Sequence, residues 1–555
     1  MSSITKHRVG PYIYLDESTS FWDAESKSPD NRKKSIGRMD PDTGVQYFKQ
    51  EYVDRLNQEG KQTDGMKIWF DQRKEKSRAS MSGINGIELA QEILATVKNY
   101  GLSYFLQSIA EKTGLVGILS QAIPGCWQKI LVLACFLVAE DKPVAYCSDW
   151  IEANECPDVG SMASQRISEL LGSFGYNERT RFFNRWYLHV REQELVALDI
   201  TSLSSYSENI GMLGWGYNRD GDDLRQLNIC MLLGEKTIRP IYQTVYQGSL
   251  SDVTTLETTL NEFEAITGSR DITLVMDKAF SSTKNVNKML GDADHPPYRF
   301  LTSASFTTNF ANALVNNERA GIDNVNNVIF THDAEMPIRG IYKLCKWDRI
   351  KTPLHTHIYY NPEEALLQRN DVFSRVAKLK TLALENHKNP DYQKAFQDYL
   401  IINDSKGSGV PVSVRIREDV IDRELERAGW FIFISNYVSD SQVAFDLYRA
   451  KDVVEKSFFQ YKNNLGLYRL RVHNDERAQN KIFVAFVALI LSSHIHKVMK
   501  DTGLSDTYPF GKLLSALSKL KIAYVNRILV FQPPTKEQKT IFQCFGVDLP
   551  VTSDL

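Results

Sequence analysis

The chain has 555 residues, 43% hydrophobic and 24% charged, with a formal net charge of −2, a profile that fits a soluble globular protein of three or four structural units. That balance argues against a uniformly basic nucleic-acid-coating protein and leaves room for local basic patches. The seven cysteines, at 126, 135, 147, 156, 230, 345 and 544, form no CxxC pair and no Cys/His ligand spacing, which argues against a disulfide framework or structural zinc and fits a reducing cytoplasm.

The start, MSSITKHRVG, has no apolar run, so no secretion signal is expected. Residues 1–80 read as a β-rich region of short strands and turns, including the basic stretch NRKKSIGR. Residues 81–190 read as helical, with apolar spacings of three and four in ELAQEILATVKNYG, SYFLQSIAEKTG, WQKILVLACFLVAE and MASQRISELLGSFG. The aromatic and arginine-rich FGYNERTRFFNRW that follows is read as helix packing rather than a DNA contact. From 191 to 290 the pattern turns to strands. ELVALDITSL ends its apolar run at Asp199, and LRQLNICMLLGE and IRPIYQTVYQGS follow. A helix at 252–268 leads to DITLVMDKAFSS, whose strand ends at Asp277. Three strands in a row predict an antiparallel meander, and the helix permits a parallel crossover. Residues 291–428 mix strands and helices and read as an insertion. Residues 429–500 hold a further strand, GWFIFISN, a helix at 443–462, the basic NNLGLYRLRVHNDERAQNK and an apolar helix at 482–500, before a tail at 501–555. The apolar helix is too interrupted to span a bilayer comfortably and reads as core.

The helix at 443–462 carries two stripes. Leu447, Val454, Phe458 and Tyr461 make an apolar one. Tyr448, Lys451, Glu455 and Lys462 fall within roughly 60° of one another at 100° per residue. One face thus presents a carboxylate, two ammonium groups and a phenol, groups that hold metal ions and phosphate oxygens. For an isolated helix the plain reading is a solvated face. Asp199 and Asp277 change the weighing, because a sheet can set two strand-ending carboxylates side by side, with Glu455 on a helix packed across it. Such a trio suits two Mg²⁺ ions, with Mn²⁺ able to substitute. Paired metals activate a water or a 3′-hydroxyl and stabilise the leaving oxygen of a phosphodiester. Each Asp alone reads more simply as a turn or cap residue.

The flanking words resemble DDE-type transposases of bacterial insertion sequences, specifically the insertion-sequence-four superfamily. The matching letters are Asp199 with its Thr/Ser-rich continuation; Gly216, Tyr217, Asp220 and Gly221; Gly248 and Asp252; and Asp277, Phe280 and Asn285. Lys278 and Ala279 depart from the pattern. The family's Tyr-x2-Arg-x3-Glu-x6-Lys signature is met by Tyr448, Lys451, Glu455 and Lys462, with Lys for Arg at 451, which keeps the charge and loses the planar fork. The resemblance covers residues 8–60 loosely and 190–500 well. It implies an α/β RNase H-like (retroviral integrase-like) catalytic core, with a large α+β insertion and a helical N-terminal region for DNA-end binding or dimerisation. The 178-residue separation of Asp277 and Glu455 fits such an insertion. It also implies metal-dependent cleavage at insertion-sequence ends and strand transfer into target DNA, with Asp199, Asp277 and Glu455 as catalytic and metal-binding residues.

The partners so implied are double-stranded DNA, as terminal inverted repeats and target, and a second copy of the chain in a homodimeric synaptic complex, with no membrane. The expected location is the cytoplasm, associated with the nucleoid. DNA contacts are expected from Tyr448, Lys451 and Lys462, and from Arg469 and Arg471, which follow the catalytic helix, with Arg477 nearby. Trp347, among the cations of IRGIYKLCKWDRIK, has two readings: a base-stacking ring, or a half-buried strand Trp. His355 and His357 alternate on a strand and read as structural. A stand-alone RNase H-like nuclease and a catalytically inactive DNA-binding remnant are the competing functions.

Overall fold

The computed structural model describes residues 2–23, 28–69, 97–190, 195–216, 221, 223–250, 252–331, 336–404, 411–467, 469–525 and 528–550. ELAQEIL at 88–94, Tyr217 and Asp220 lie outside them. The chain divides into two compact units. One comprises Met1–Val97, Ala523–Val530 and Ser553–Leu555, the other Lys98–Ile522 and Phe531–Thr552.

In the first unit, strands Ser2–Val9, Tyr12–Asp23 and Ser28–Met39 form an antiparallel meander, longer than the short strands expected. Leu15, Ile36 and Phe48 pack on one side of helix Gln50–Gln58 through Tyr52, Val53 and Leu56. The basic NRKKSIGR lies within the strand Ser28–Met39, and Arg38 lies over the Tyr14 ring at 4.6 Å.

The second unit is built on a nine-stranded mixed sheet. Its strands in chain order are β1 (Leu195–Ser204), β2 (Gln226–Gly234), β3 (Pro240–Gln247), β4 (Thr273–Met276), β5 (Arg299–Ser303), β6 (Val328–Ile329), β7 (Ile338–Cys345), β8 (Leu354–Tyr360) and β9 (Trp430–Ser435). Across the sheet they run β3-β2-β1-β4-β5-β9-β8-β7-β6. The meander β1-β2-β3 is antiparallel. β4 is parallel to β1 and β5 parallel to β4, each reached through a helix, Asp252–Thr267 (α2) and Thr283–Leu290 (α3). β2 is buried along its whole length, which is why its sequence is a near-continuous apolar run rather than an alternation.

Helices cover the meander. Tyr176–Val190 (α1) buries Phe182, Phe183, Trp186 and Tyr187, and Trp186 donates its indole N–H to Pro240 O at 2.8 Å. FGYNERTRFFNRW is therefore packing, as read. Asp475–Asp501 (α7) has a mean hydropathy of 1.8 over its most apolar window, 78% of it buried. Apolar residues surround this helix on all sides because it lies inside the core.

The expected insertion at 291–428 is a smaller body than its span. β5, β7 and β8 belong to the central sheet. What stands apart is Pro362–Asn386 (α4), a hairpin of Leu400–Asp404 with Pro411–Ile416, and flanking helices, around small cores such as Leu379, Ala383, Phe396 and Leu400. The reason lies in β9. Its apolar run WFIFIS fills the gap between β5 and β8, pairing Ser435 with both Leu301 and His355. Strands that flanked the insertion in sequence become neighbours in one sheet.

Candidate active site

Asp199 lies in the middle of β1, not at its end, because β1 continues to pair with β2 as far as Ser204. β4 is shorter and stops at Met276. The parallel register pairs Leu198 with Met276, so Asp199 and Asp277 are the next residues on adjacent strands, with backbones about 4.8 Å apart in the hydrogen-bonding direction. Asp277 then caps the turn Lys278–Phe280, accepting from Lys278 N–H at 2.7 Å. Asp199 accepts from Ile200 N–H at 2.8 Å. The two carboxylates are thereby held by backbone at one sheet position.

The helix expected at 443–462 is three pieces: Ser441–Arg449 (α5), Asp452–Phe459 (α6) and a π turn at Gln460–Asn464. No Gly or Pro causes the first break. Lys451 N–H bonds to Tyr448 O, three residues back, at 3.1 Å, and this tight turn shifts the register between α5 and α6. The stripe survives around the break. The Tyr448 hydroxyl donates to Asp277 Oδ1 at 3.3 Å, and its ring stacks on Phe433 of β9 at 4.0 Å. Burial and the Asp277 charge push the Tyr448 phenol well above its usual range, with a smaller push from Asp199. It stays a neutral donor. Lys451 Nζ lies 4.0 Å from Asp277 Oδ2 and 3.9 Å from Glu455 Oε1. Tyr448 and Lys451 thus meet Asp277, and Glu455 meets Lys451.

Both lysines differ from expectation. Lys451 and Lys462 are 6% and 8% exposed, so neither presents an open ammonium to a phosphate. Lys451 is turned inward onto two carboxylates. Lys462 is carried inward by the π turn, whose neighbour Tyr461 is anchored to Gln243 and Ile482 O at 2.6 and 2.7 Å. Trp347 is 4% exposed and stacks on Phe310 at 4.9 Å. The base-stacking role has no open ring face to use, and the half-buried strand reading fails too, because Trp347 is buried and lies two residues past the end of β7. His357 is buried, and its ring nitrogens meet Ser441 Oγ and Val438 O at 3.2 and 3.1 Å, a structural role.

Arg471 is exposed, and Arg469 lies over the ring of Tyr206 at 5.7 Å. Arg477 instead donates to Ser168 O at 2.9 Å. Two glycines of the motif words, Gly216 and Gly248, are packing devices, while Gly221 takes a left-handed backbone with open space around it. A Cβ on Gly216 would meet Gly248 O at 2.1 Å, and one on Gly248 would meet Gln226 O at 1.9 Å. Sequence reasoning missed Phe433, although its alternation in GWFIFISN was the available signal. It also missed Lys481, buried at the start of an apolar helix, for which there was none.

Three hard carboxylates are the donor type a small divalent cation prefers. Among the described residues, however, no three His, Cys, Asp or Glu side chains converge closely enough to hold a metal as they stand. Asp199 and Asp277 adjoin. Glu455 is linked to them through the Lys451 ammonium. The donor chemistry fits, and Lys451 occupies the geometry.

No family model matches the chain, and no curated protein does. Among solved structures, the piggyBac transposase synaptic complex with hairpin DNA is similar at a TM-score of 0.33 and 10% identity, over 74% of this chain and 70% of that chain. The functional reading rests on the site's own geometry.

Proposed function

We propose that this chain is a DDE-type DNA transposase of the insertion-sequence-four kind, cleaving at element ends and joining them to target DNA. The observation that carries the reading is the register: Asp199 and Asp277 follow the paired residues Leu198 and Met276 on parallel strands, with Tyr448 and Lys451 against Asp277 and Glu455 against Lys451. The order β3-β2-β1-β4-β5, with a meander and two parallel additions, supports an RNase H-like core extended by four strands.

Asp199, Asp277 and Glu455 would hold Mg²⁺ or Mn²⁺. A divalent ion there supplies Lewis acidity at a scissile phosphate and a more acidic water. Tyr448 fixes the Asp277 carboxylate as a neutral donor. Lys451 balances Asp277 and Glu455. Arg469 and Arg471 supply cations for the DNA backbone. In this reading the protein works in the cytoplasm on the nucleoid.

The test is strand cleavage of DNA spanning the gene and its flanks, in Mg²⁺ or Mn²⁺. Asp199→Ala, Asp277→Ala and Glu455→Ala are each expected to lower nicking by about a thousandfold or more while DNA binding survives, since removing negative charge from a DNA-facing site does not weaken it. Nicking by Glu455→Ala at the parent rate would exclude the assignment.

A further inference from the structure

The loop at 205–216 leaves β1 at the end of the sheet where Asp277 follows the parallel strand β4. Two large aromatic side chains stand in solvent on it, Tyr206 at 74% and Trp215 at 63% exposure. Rings of that size left in water are a common mark of a binding surface. The loop is firmly built. Ser205 N–H donates to Arg225 O at 3.0 Å, and Gly214 exchanges two hydrogen bonds with Gln226 at 2.8 and 2.9 Å. Arg225 Nη2 donates to Leu213 O at 2.6 Å. The Asp475 carboxylate accepts from Gly211 N–H at 3.2 Å and from Met212 N–H at 2.9 Å. Gln226 pairs with Ser204 in the β1-β2 ladder and bridges to Gly214 as well. The two rings therefore rise from stretches about two strand spacings, roughly 10 Å, apart.

A cation covers one of the rings. The Arg469 guanidinium lies 5.7 Å over the Tyr206 ring. Arg471 is exposed and has a left-handed backbone, φ 48°, uncommon for a side chain of its size. The turn that holds it is fixed from beneath, where the buried Lys481 ammonium donates to Leu470 O at 2.7 Å. The sequence has thus placed a buried cation and a strained backbone under an exposed arginine, two residues on from the one that covers Tyr206.

We propose that Tyr206 and Trp215, with Arg469 and Arg471, form a platform for single-stranded DNA beyond the carboxylate site, where β1 ends roughly 16 Å along the strand from Asp199. Rings take unpaired bases by stacking, which is indifferent to sequence, and arginines take the intervening phosphates. The charge pairing favours nucleic acid over an apolar protein partner. The inference rests on the DNA-processing reading, since cleavage at an end exposes unpaired nucleotides to hold.

The experiment is fluorescence anisotropy of the full chain in EDTA, with labelled oligothymidylate of about twelve nucleotides, within the usual site size of such surfaces, and with a duplex of equal length. Tyr206→Ala and Trp215→Ala are each expected to lower oligothymidylate affinity about tenfold or more and duplex affinity about twofold or less. Tyr206→Phe and Trp215→Phe should keep most of it, which separates stacking from misfolding. Arg471→Gly, which suits the left-handed backbone, should weaken both probes and reduce the single-strand salt slope by about 0.7. Alanine variants that bind oligothymidylate like the parent would overturn the platform. So would an equal loss on both probes, or a loss of self-association without loss of single-strand affinity. Nicking is scored separately. If Asp199→Ala nicks like the parent while Trp215→Ala still releases the single strand, the nuclease assignment falls and the platform stands; the reverse pattern removes the platform alone.

Discussion

Lys451 is the residue on which the site turns. Its ammonium stands about as far from Asp277 as from Glu455, 4.0 and 3.9 Å, and is almost wholly enclosed. Asp277 and Glu455 are themselves 39% and 67% exposed, so water screens them. Removing the lysine should cost about 1 kcal/mol of stability or less, near the exposed-pair range rather than the buried one. The change should register in metal binding instead. Lys451→Met is expected to bind Mn²⁺ more tightly than the parent in the absence of DNA, read by electron paramagnetic resonance of free against bound ion. An unchanged affinity would mean that the ammonium does not compete for the carboxylates. The letter at 451 was legible as a member of the stripe. Its inward turn was not, because helical periodicity gives an azimuth and says nothing about which neighbour the side chain folds onto.

Among the elements, α5 is held by its own first turn. His357 of β8, buried at the sheet, meets Ser441 Oγ and Val438 O, and Tyr359 donates to Ser441 O at 2.7 Å. The carbonyl at Val438 requires the donor on Nε2, which leaves Nδ1 to accept from Ser441. Burial lowers the His357 pKa to about 4. Its folded value lies below its unfolded one, so the unfolded chain binds more protons between about pH 6.5 and 4, and stability falls as pH falls through that window. The melting temperature of the parent should therefore drop more steeply from pH 6.5 to 4 than that of His357→Gln, followed by circular dichroism. Parallel slopes would show that His357 is not the group responsible. The sequence foretold the meander, the crossover helix α2, β9 and the strand leading directly into Asp277, all marked by apolar runs with clear turn residues. It misjudged the helix at 443–462, where a three-residue hydrogen bond and a π turn break the register without any Gly or Pro to announce them. It also placed β5, β7 and β8 in an insertion, since long-range strand pairing leaves no local mark.

For the molecule as a whole, the proposed activity of joining two DNA ends would call for two sites, so a paired-end complex should contain two chains by light scattering, arranged by twofold symmetry if the ends are equivalent. One chain holding both ends would contradict that. A last consequence follows from β9. This strand sits inside the sheet, between β5 and β8, yet it is made roughly 130 residues after β5, a wait of about six to twenty-six seconds on the ribosome. During that interval two strands each show an unpaired edge, the kind of edge that recruits other chains. A product ending at 428 is expected to sediment as aggregate, whereas the full chain stays in the supernatant; a soluble monomer of 1–428 would show that the sheet closes without β9. Glu455 arrives later still, and the buried helix α7 after it. With the proposed activity, the ability to cut comes only once Glu455 and α7 have been made, and a product ended before them is harmless to the DNA around it.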